Sequence, residues 1–422
     1  MPSTRDLARQ LGVSRRIAVD AYEQLAAEGY LVLRQGARPR IAEGPATDPA
    51  TPTSAAPAPL PRFDFRPAVP DVSTFPRTAW LRSLREALST ITDWDLGYGD
   101  PRGVDALREA LAEYLGRVRG VVGDPPRIVV TSGYWQGFGL VCRALAEGGA
   151  KRIVVEDPSH ADQRLIAARA GLQPVPVPVD EGGIRTDVLT GVEADAVVLT
   201  PSHQDPTGAV LAGERRTALL AWLREHDAVA IEDDYDAEYR YDRAAVGALQ
   251  GLEPDRIVYA GSASKTLAPA LRLGWMVVPP HLLDAVTREK ALADQGTARV
   301  EQLAFADFLA RGELDRHLRR MRARYRRRRD ALVEALADAL PEAVVRGIAA
   351  GLHAAVELPD GDEAAIVAEA RRRRIALRTL GDYLAGEPSG PPMLLLGYAQ
   401  TPEPTIRAGV RELAAAVRAA RR

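Results

Sequence analysis

The stretch RIVYAGSASKTLAPALRLGWMVVP (256–279) joins two short apolar runs through a polar loop that carries a single lysine, Lys265. Runs of the same kind recur upstream, each ending abruptly in a polar or glycine-rich motif: RIVVTSG (127–133), RIVVEDPSH (152–160), DAVVLTPSHQDPTG (195–208) and AVAIEDDYD (228–236). Helical stretches separate them; between 215 and 225, Leu219, Leu220 and Leu223 recur at helical spacing. Short buried strands alternating with helices indicate an α/β fold built on a mostly parallel, doubly wound sheet. Ligands of such sheets bind beyond the carboxyl ends of the strands, and every unusual motif falls at such an end. After about residue 300 the texture becomes mainly helical and closes in a smaller α/β segment, 351–422.

Composition narrows the chemistry. The chain has 422 residues, 46% hydrophobic and 27% charged, with net charge −2, which implies two or three domains with a sizeable core. The lone cysteine, Cys142, excludes a disulfide framework and a thiolate metal cluster, and its apolar helical surroundings read as core. The six histidines show no metal-ligand spacing, so no metal site is expected. Neither a signal peptide nor an uncharged apolar span is visible, and the chain reads as soluble and cytoplasmic. Only three of the 55 basic residues are lysines, Lys151, Lys265 and Lys290, and asparagine is absent. GC-rich coding accounts for the general bias. A reaction that needs a primary amine nevertheless has three candidates, because arginine stays charged.

Lys265 follows Gly261-Ser262-Ala263-Ser264 at a strand end, with Arg272 seven residues on. A desolvated lysine loses pKa and attacks aldehydes, and the hydroxyls with the arginine suit a phosphate dianion. Alone, this motif is equally a loop with a solvated lysine. Asp233 and Tyr235 stand at the end of another strand, where a pyridoxal phosphate ring needs a carboxylate at its nitrogen and gains from a phenol near its oxygen. The acidic run 232–236 also reads as a solvated loop or a metal-binding group. Thr131-Ser132-Gly133 opens a helix at Tyr134, a phosphate cradle of backbone N–H groups, and His160 with the 201–208 loop completes the rim.

From about Phe63 to Arg422 the chain resembles a fold-type I, aspartate-aminotransferase-like domain. YGDPRG (98–103), PSHQDPTG (201–208), EDDYDAEYRY (232–241) and SASKTLAPALRLG (262–274) are similar, in order, to the MocR/GabR subfamily of GntR regulators. The resemblance implies pyridoxal 5′-phosphate as cofactor. It implies an aldimine at Lys265, Asp233 at the pyridine nitrogen, Tyr235 at the ring hydroxyl, and Ser262, Ser264 and Arg272 at the phosphate with Ser132, Gly133 and Tyr134. His160 takes the place of the residue stacked on the ring. Tyr98 reaches the phosphate of a neighbouring subunit, so a homodimer is implied. In this division the cofactor-binding part covers about 95–290 and the small part 63–94 with 300–422. Two departures stand out. Asp205 occupies the position of the asparagine that transaminases use at the ring oxygen, and MLLLGYA (393–399) lacks, near 395, an arginine for a substrate carboxylate. Arg378 is a candidate substitute.

Residues 43–62 (EGPATDPATPTSAAPAPLPR), with six prolines, read as an extended linker over 44–62 that sets off an N-terminal block, 1–43. In that block helix, tight turn and helix follow one another, with Leu7, Ala8, Leu11, Val13, Ile17 and Ala21 spaced to bury one face. Ser14 is a natural cap, and Arg15 and Arg16 in the next turn suit phosphates or guanine edges. A two-stranded wing is expected from 30–33 and 38–42, carrying Arg34, Arg38 and Arg40. The block has seven arginines against five acidic residues through Gly44 and also reads as a generic helical hairpin. It is similar to part of the GntR winged helix-turn-helix, which implies DNA contacts from Thr4, Arg5, Ser14, Arg15, Arg16 and Arg38. The family's preceding helix is missing, which leaves the helical faces under-buried and predicts a native gene that continues upstream of Met1. The basic run 316–329 reads as a solvated or interdomain face of a long helix. Together these features predict a pyridoxal-phosphate-dependent transcription regulator that binds DNA and responds to an amine, an amino acid or a vitamin B6 ligand. The alternatives are a class I/II aminotransferase with a vestigial N-terminus, and a cofactor-binding protein active in neither sense.

Overall fold

The computed structural model describes residues 1–42, 60–241, 246–388 and 390–421. The chain divides into two compact units, Met1–Pro59 and Leu60–Arg422. Most of the proposed linker, 43–59, lies outside the described residues.

The larger unit is built on an eight-stranded sheet in the order Ile128–Thr131, Gly274–Val277, Ile257–Ser262, Val229–Asp233, Ala196–Leu199, Arg152–Asp157, Gln173–Asp180 and Gly183–Ile184. The strands from Ile257–Ser262 through Gln173–Asp180 are mutually parallel, whereas Gly274–Val277 runs against both neighbours. Alternate side chains feed two cores. Ile153, Val155, Ile231 and Val258 pack with Phe138, Val141 and the buried Cys142. Val154, Val197, Ala230 and Ile257 meet Leu219, Trp222 and Leu223 on the opposite face. A sheet covered on both faces by helices explains why its strands read as continuous apolar runs. The strand Gln173–Asp180 carries prolines at 174, 176 and 178, which argue against a central strand. Gln173 donates to the Lys151 carbonyl, so the alternate prolines turn their missing N–H groups to the outer edge, where only a two-residue hairpin strand pairs.

In the remainder of this unit a four-stranded antiparallel sheet (Val344–Arg346, His353–Glu357, Met393–Gly397, Arg378–Thr379) packs with the helix Glu403–Ala420, and Phe63–Asp64 pairs with Ile375–Ala376. The basic run lies in the helix Glu313–Ala339. Most of its arginines are exposed, but Arg328 is buried, reaching Asp71 at 3.0 Å and the Ala399 carbonyl. Lys290 is wholly buried, with its ammonium on Asp294 (2.6 Å), Thr297 (2.8 Å) and Gln136 (3.1 Å). Lys151 is exposed.

In the N-terminal unit the helices Thr4–Leu11 and Arg15–Ala27 meet at Gly12, whose φ of 66° suits glycine. Ser3 and Ser14 cap them, and Leu31–Val32 pairs antiparallel with Arg40–Ile41 as a short wing. The buried face differs from the expected one. Ala8, Ala18, Tyr22 and Leu31 are buried, whereas Leu11, Val13, Ile17 and Ala21 are exposed and Leu7 is only partly covered. Tyr22 reaches back to the Pro2 carbonyl at 3.0 Å and draws the packing to that side. Two short helices and a two-residue ribbon have too little surface to cover the other. Among the described residues no helix is long and apolar enough to cross a membrane.

In the larger unit Arg119 and Asp234 form an ion pair with both side chains only 2% exposed, at 2.7 Å, supported by the Tyr259 hydroxyl (2.7 Å) and Ser202 (2.9 Å). Removing one member leaves the other charge buried without its partner. Asp234→Asn is therefore expected to destabilise the fold by about 3 kcal/mol, read as a lower urea midpoint at unchanged slope.

Candidate functional site

Beyond the carboxyl ends of the parallel strands lies a cavity of about 370 Å³. Sheet register brings its chemistry together. Asp233 pairs with Ala260, Ser262 with Gly274, and Gly274 with Thr131, so three strand ends and the start of the reversed strand meet at one edge. Ser262 ends its strand and caps the one-turn helix Ala263–Thr266, accepting the Ser264 N–H. This turn carries Lys265 into the cavity, where Nζ donates to the Ala68 carbonyl at 2.6 Å. Burial lowers the Lys265 pKa, opposed by the carboxylates of Asp205, Asp233 and Asp236.

The acidic run separates by role. Glu232 accepts the backbone N–H groups of Leu249 and Gln250, Asp234 holds Arg119, and Asp236 holds His203 at 3.1 Å. Asp233 and Tyr235 line the cavity. The solvated-loop reading therefore fails, because Glu232, Asp234 and Asp236 are buried. Among the described residues no group of three metal-ligating side chains is assembled. Burial, then Asp205 and Asp234, push the Asp233 carboxyl well above its ordinary range, only partly offset by the Tyr134 hydroxyl and Lys265. The Tyr235 hydroxyl lies 3.0 Å from Nδ1 of His203.

Arg272 follows the short turn Pro269–Leu271 with φ 50° and donates to the Ser132 carbonyl. Gly133 has φ 89°, a conformation that strains any residue with a Cβ, and such a Cβ would also stand 2.9 Å from Arg272 Nη2. It begins the helix Tyr134–Glu147, whose N-terminus has no side-chain cap. Uncapped N–H groups beside a guanidinium make an anion site. Ser264, Tyr134 and His160 also line the cavity, the His160 ring 4.9 Å from Trp135 and 5.9 Å from Tyr383. Three expected site residues of this unit do not line the cavity: Ser132 and Gly133 stand beside Arg272 just outside the lining, and Tyr98 is 88% exposed.

Trp135, Gln163, Glu156 and Tyr383 join the wall without having been singled out in the sequence. Trp135 was accessible from its place in the first turn of the TSG helix. Tyr383 stands in no motif, and Ala68 contributes only a carbonyl. Asp205 lines the cavity with Oδ1 buried and, among the described residues, without a hydrogen-bond partner. Leu395 is buried, pairs in register with Arg378 and packs on Tyr383. Arg378 itself is 57% exposed at the side chain, 3.8 Å from Asp382, and outside the cavity wall. In the N-terminal unit Thr4 and Arg38 line one groove, Ser14 caps the second helix, and Arg5, Arg15 and Arg16 are exposed.

A family model described as aminotransferase class I and II matches residues 71–374. The pyridoxine biosynthesis transcriptional regulator PdxR of Corynebacterium glutamicum is 33% identical over 99% of this chain and 91% of that protein. The chain belongs to the aminotransferase class I and II family, among its helix-turn-helix regulators of the MocR type. The probable rhizopine catabolism regulatory protein MocR of Rhizobium meliloti is likewise 33% identical, over 79% of this chain and 72% of its own. The structure of Pyrococcus horikoshii kynurenine aminotransferase is similar with a TM-score of 0.77, at 27% identity over 85% of this chain and 91% of that one. The fold is thus that of fold-type I transferases, and pyridoxal 5′-phosphate is the cofactor that the family implies.

The residues present fit that group. Asp233 is half-buried at the cavity wall and forms no ion pair among the described residues, so it can pair with a protonated ring nitrogen. The Gly133 cradle with Arg272 suits a phosphate, and Lys265 stands between the two with a depressed pKa.

Glu156, in the same wall, accepts the N–H and O–H of Thr200 (3.0 and 2.8 Å), yet burial raises its pKa from 4.5 to about 7. With the folded value above the unfolded one, its contribution to stability is complete below the unfolded value and is lost as pH rises through about 7. Glu156→Gln, neutral throughout, is expected to match wild type near the unfolded value and to exceed it by about 2 kcal/mol at about pH 8, measured by urea unfolding.

Proposed function

We propose that the protein is a DNA-binding transcription regulator whose aminotransferase-like unit holds pyridoxal 5′-phosphate on Lys265, and that a small amine, an amino acid or a vitamin B6 ligand governs its affinity for DNA. The observation that carries this reading is Lys265 Nζ in one cavity with Asp233 and Arg272, in a chain that also has a capped helix-turn-helix. Bound there, the cofactor supplies an aldehyde for a primary amine and a protonated ring that draws electrons. Lys265, desolvated, gives up its proton more readily than a solvated lysine. Asp233 holds the proton at the ring nitrogen, Tyr235 addresses the ring oxygen with His203 and Asp236 fixing its hydroxyl, and Arg272 with the Gly133 turn and the hydroxyls of Ser262 and Ser264 binds the phosphate. His160 and Trp135 cover the ring. Tyr98, exposed on its own chain, serves the cavity of a second copy, so the working form is a homodimer.

On the DNA side, the helix Arg15–Ala27 begins with two arginines and has no acidic residue in its first turn. Cations at the positive end of a helix dipole are unfavourable by a few tenths of a kcal/mol or more unless an anion meets them. Phosphates or guanine edges in a major groove meet that need, and Thr4, Arg5, Ser14 and Arg38 widen the footprint. A ligand shifts DNA binding only as far as its affinity differs between two states of the protein.

Lys265→Ala is expected to lose the cofactor's visible absorption band; an unchanged spectrum refutes the cofactor assignment. In a gel shift with the DNA upstream of its own gene, the full chain is expected to retard the fragment differently with and without pyridoxal phosphate. Replacing Arg15 and Arg16 by alanine is expected to weaken binding about tenfold and to lower the salt slope by about one for each phosphate no longer neutralised. Multiple-turnover keto-acid formation from an amino donor, with no DNA retarded, overturns the regulator reading in favour of an aminotransferase.

A further inference from the structure

The ionisable groups that line the cavity are not all used once the cofactor's needs are met. Three carboxyl groups, Glu156, Asp205 and Asp233, share it with two basic groups, Lys265 and Arg272, and burial pushes Glu156 and Asp233 toward their neutral forms. On the functional reading above, Arg272 serves the phosphate, Asp233 the ring nitrogen and Lys265 the aldehyde, while Glu156 is tied to Thr200. Asp205 remains. Its backbone N–H is held by Thr200 at 3.0 Å and its carbonyl accepts from Gln204 at 2.8 Å, which fixes the residue at the wall. Its Oδ1 is buried without a hydrogen-bond partner among the described residues. A buried acceptor in this condition favours an incoming N–H donor and opposes an incoming carboxylate.

Near 395, where the resemblance places an arginine for a substrate carboxylate, the chain is apolar. Leu395 is fully buried and packs with Ala355 and Met393 behind Tyr383, which lines the cavity. The guanidinium that its register neighbour Arg378 carries is turned to Asp382 and is largely exposed. Around the rest of the mouth stand Trp135, His160, Tyr383 and Val69, surfaces for an alkyl chain and for a cation over an aromatic face. At about 370 Å³ the cavity is near the lower end for small-molecule sites, so a ligand beside the cofactor is small.

We propose that this cavity takes a small cationic amine without a carboxylate group, and that Asp205 is the residue that rejects α-amino acids. The inference rests on the functional reading above and narrows its ligand to one chemical class. Discrimination of this kind works by repulsion: an α-amino acid brings a carboxylate to a wall that already holds one and that, among the described residues, offers no cation beyond those the cofactor uses.

The test uses the full-length protein loaded with pyridoxal phosphate and two ligands that differ only in the α-carboxylate, n-butylamine and L-norvaline. Binding is followed by calorimetry and by the shift of the cofactor band. Wild type is expected to bind n-butylamine at least about tenfold more tightly. Asp205→Asn is expected to reduce that ratio to about threefold or less, by strengthening norvaline rather than by weakening the amine. Equal affinities, a preference for norvaline or no binding of the amine in wild type overturns the proposal, and this comparison decides even if the variant does not fold. A ratio unchanged in a folded Asp205→Asn protein removes Asp205 from the role. Absence of the cofactor band from wild type strikes the functional reading itself, whereas a normal band with no discrimination strikes only the ligand class.

Discussion

Between Glu232 and Asp236 four carboxylates and a phenol leave the sheet within five residues, all of them turned inward or into the cavity. Carboxylates are not buried without partners, and the partners found for this run come from distant parts of the larger unit. Glu232 draws in the backbone at 249–250, Asp234 fastens Arg119 at the end of the helix Asp105–Arg119, and Asp236 positions His203 from the 201–208 loop. Three of the five side chains are spent on assembly. What they assemble leaves Asp233 without an ion pair and Tyr235 beside it, both at the cavity.

That division explains why several carboxyl groups gather around the cavity. The same interactions that anchor the loops keep Asp205, Asp233 and Asp236 near enough to act on Lys265, partly countering the effect of burial on its amine. The anion site works in the other direction. Arg272 and the uncapped start of the Tyr134–Glu147 helix gather positive potential. A cavity that combines this anion site with carboxyl groups suits a ligand that carries both a phosphate and a basic ring nitrogen.

Much of the large sheet was legible because strands buried on both faces leave uninterrupted apolar runs, and polar motifs mark where they stop. Lys265, Asp233, Tyr235 and Ser262 were visible for the same reason, each standing at or just beyond a strand end, and Arg272 through its place seven residues after Lys265 in the same loop. The strand Gln173–Asp180 was not, since its alternate prolines make sense only once it is known to lie near an edge. Tyr383 and the Ala68 carbonyl were also out of reach, because one comes from a segment with no local motif and the other has no side-chain signal. In the N-terminal unit the cap at Ser3 was not singled out, whereas the two helices and the cap of the second followed from Gly12 and Ser14. The choice of buried face did not, because it turns on the long-range bond from Tyr22 to Pro2.

The scarcity of lysine has a practical side. Lys290 is sealed beneath the first turn of the Tyr134–Glu147 helix through Gln136, and Lys265 lies in the cavity, which leaves Lys151 as the one lysine displayed on the surface. A protein with so few exposed side-chain amines is nearly inert to acylating reagents over its exterior. Apart from the chain terminus, such chemistry is channelled to Lys151 and to the interior of the site, so the extent of labelling at Lys265 becomes a direct gauge of whether that interior is open or filled.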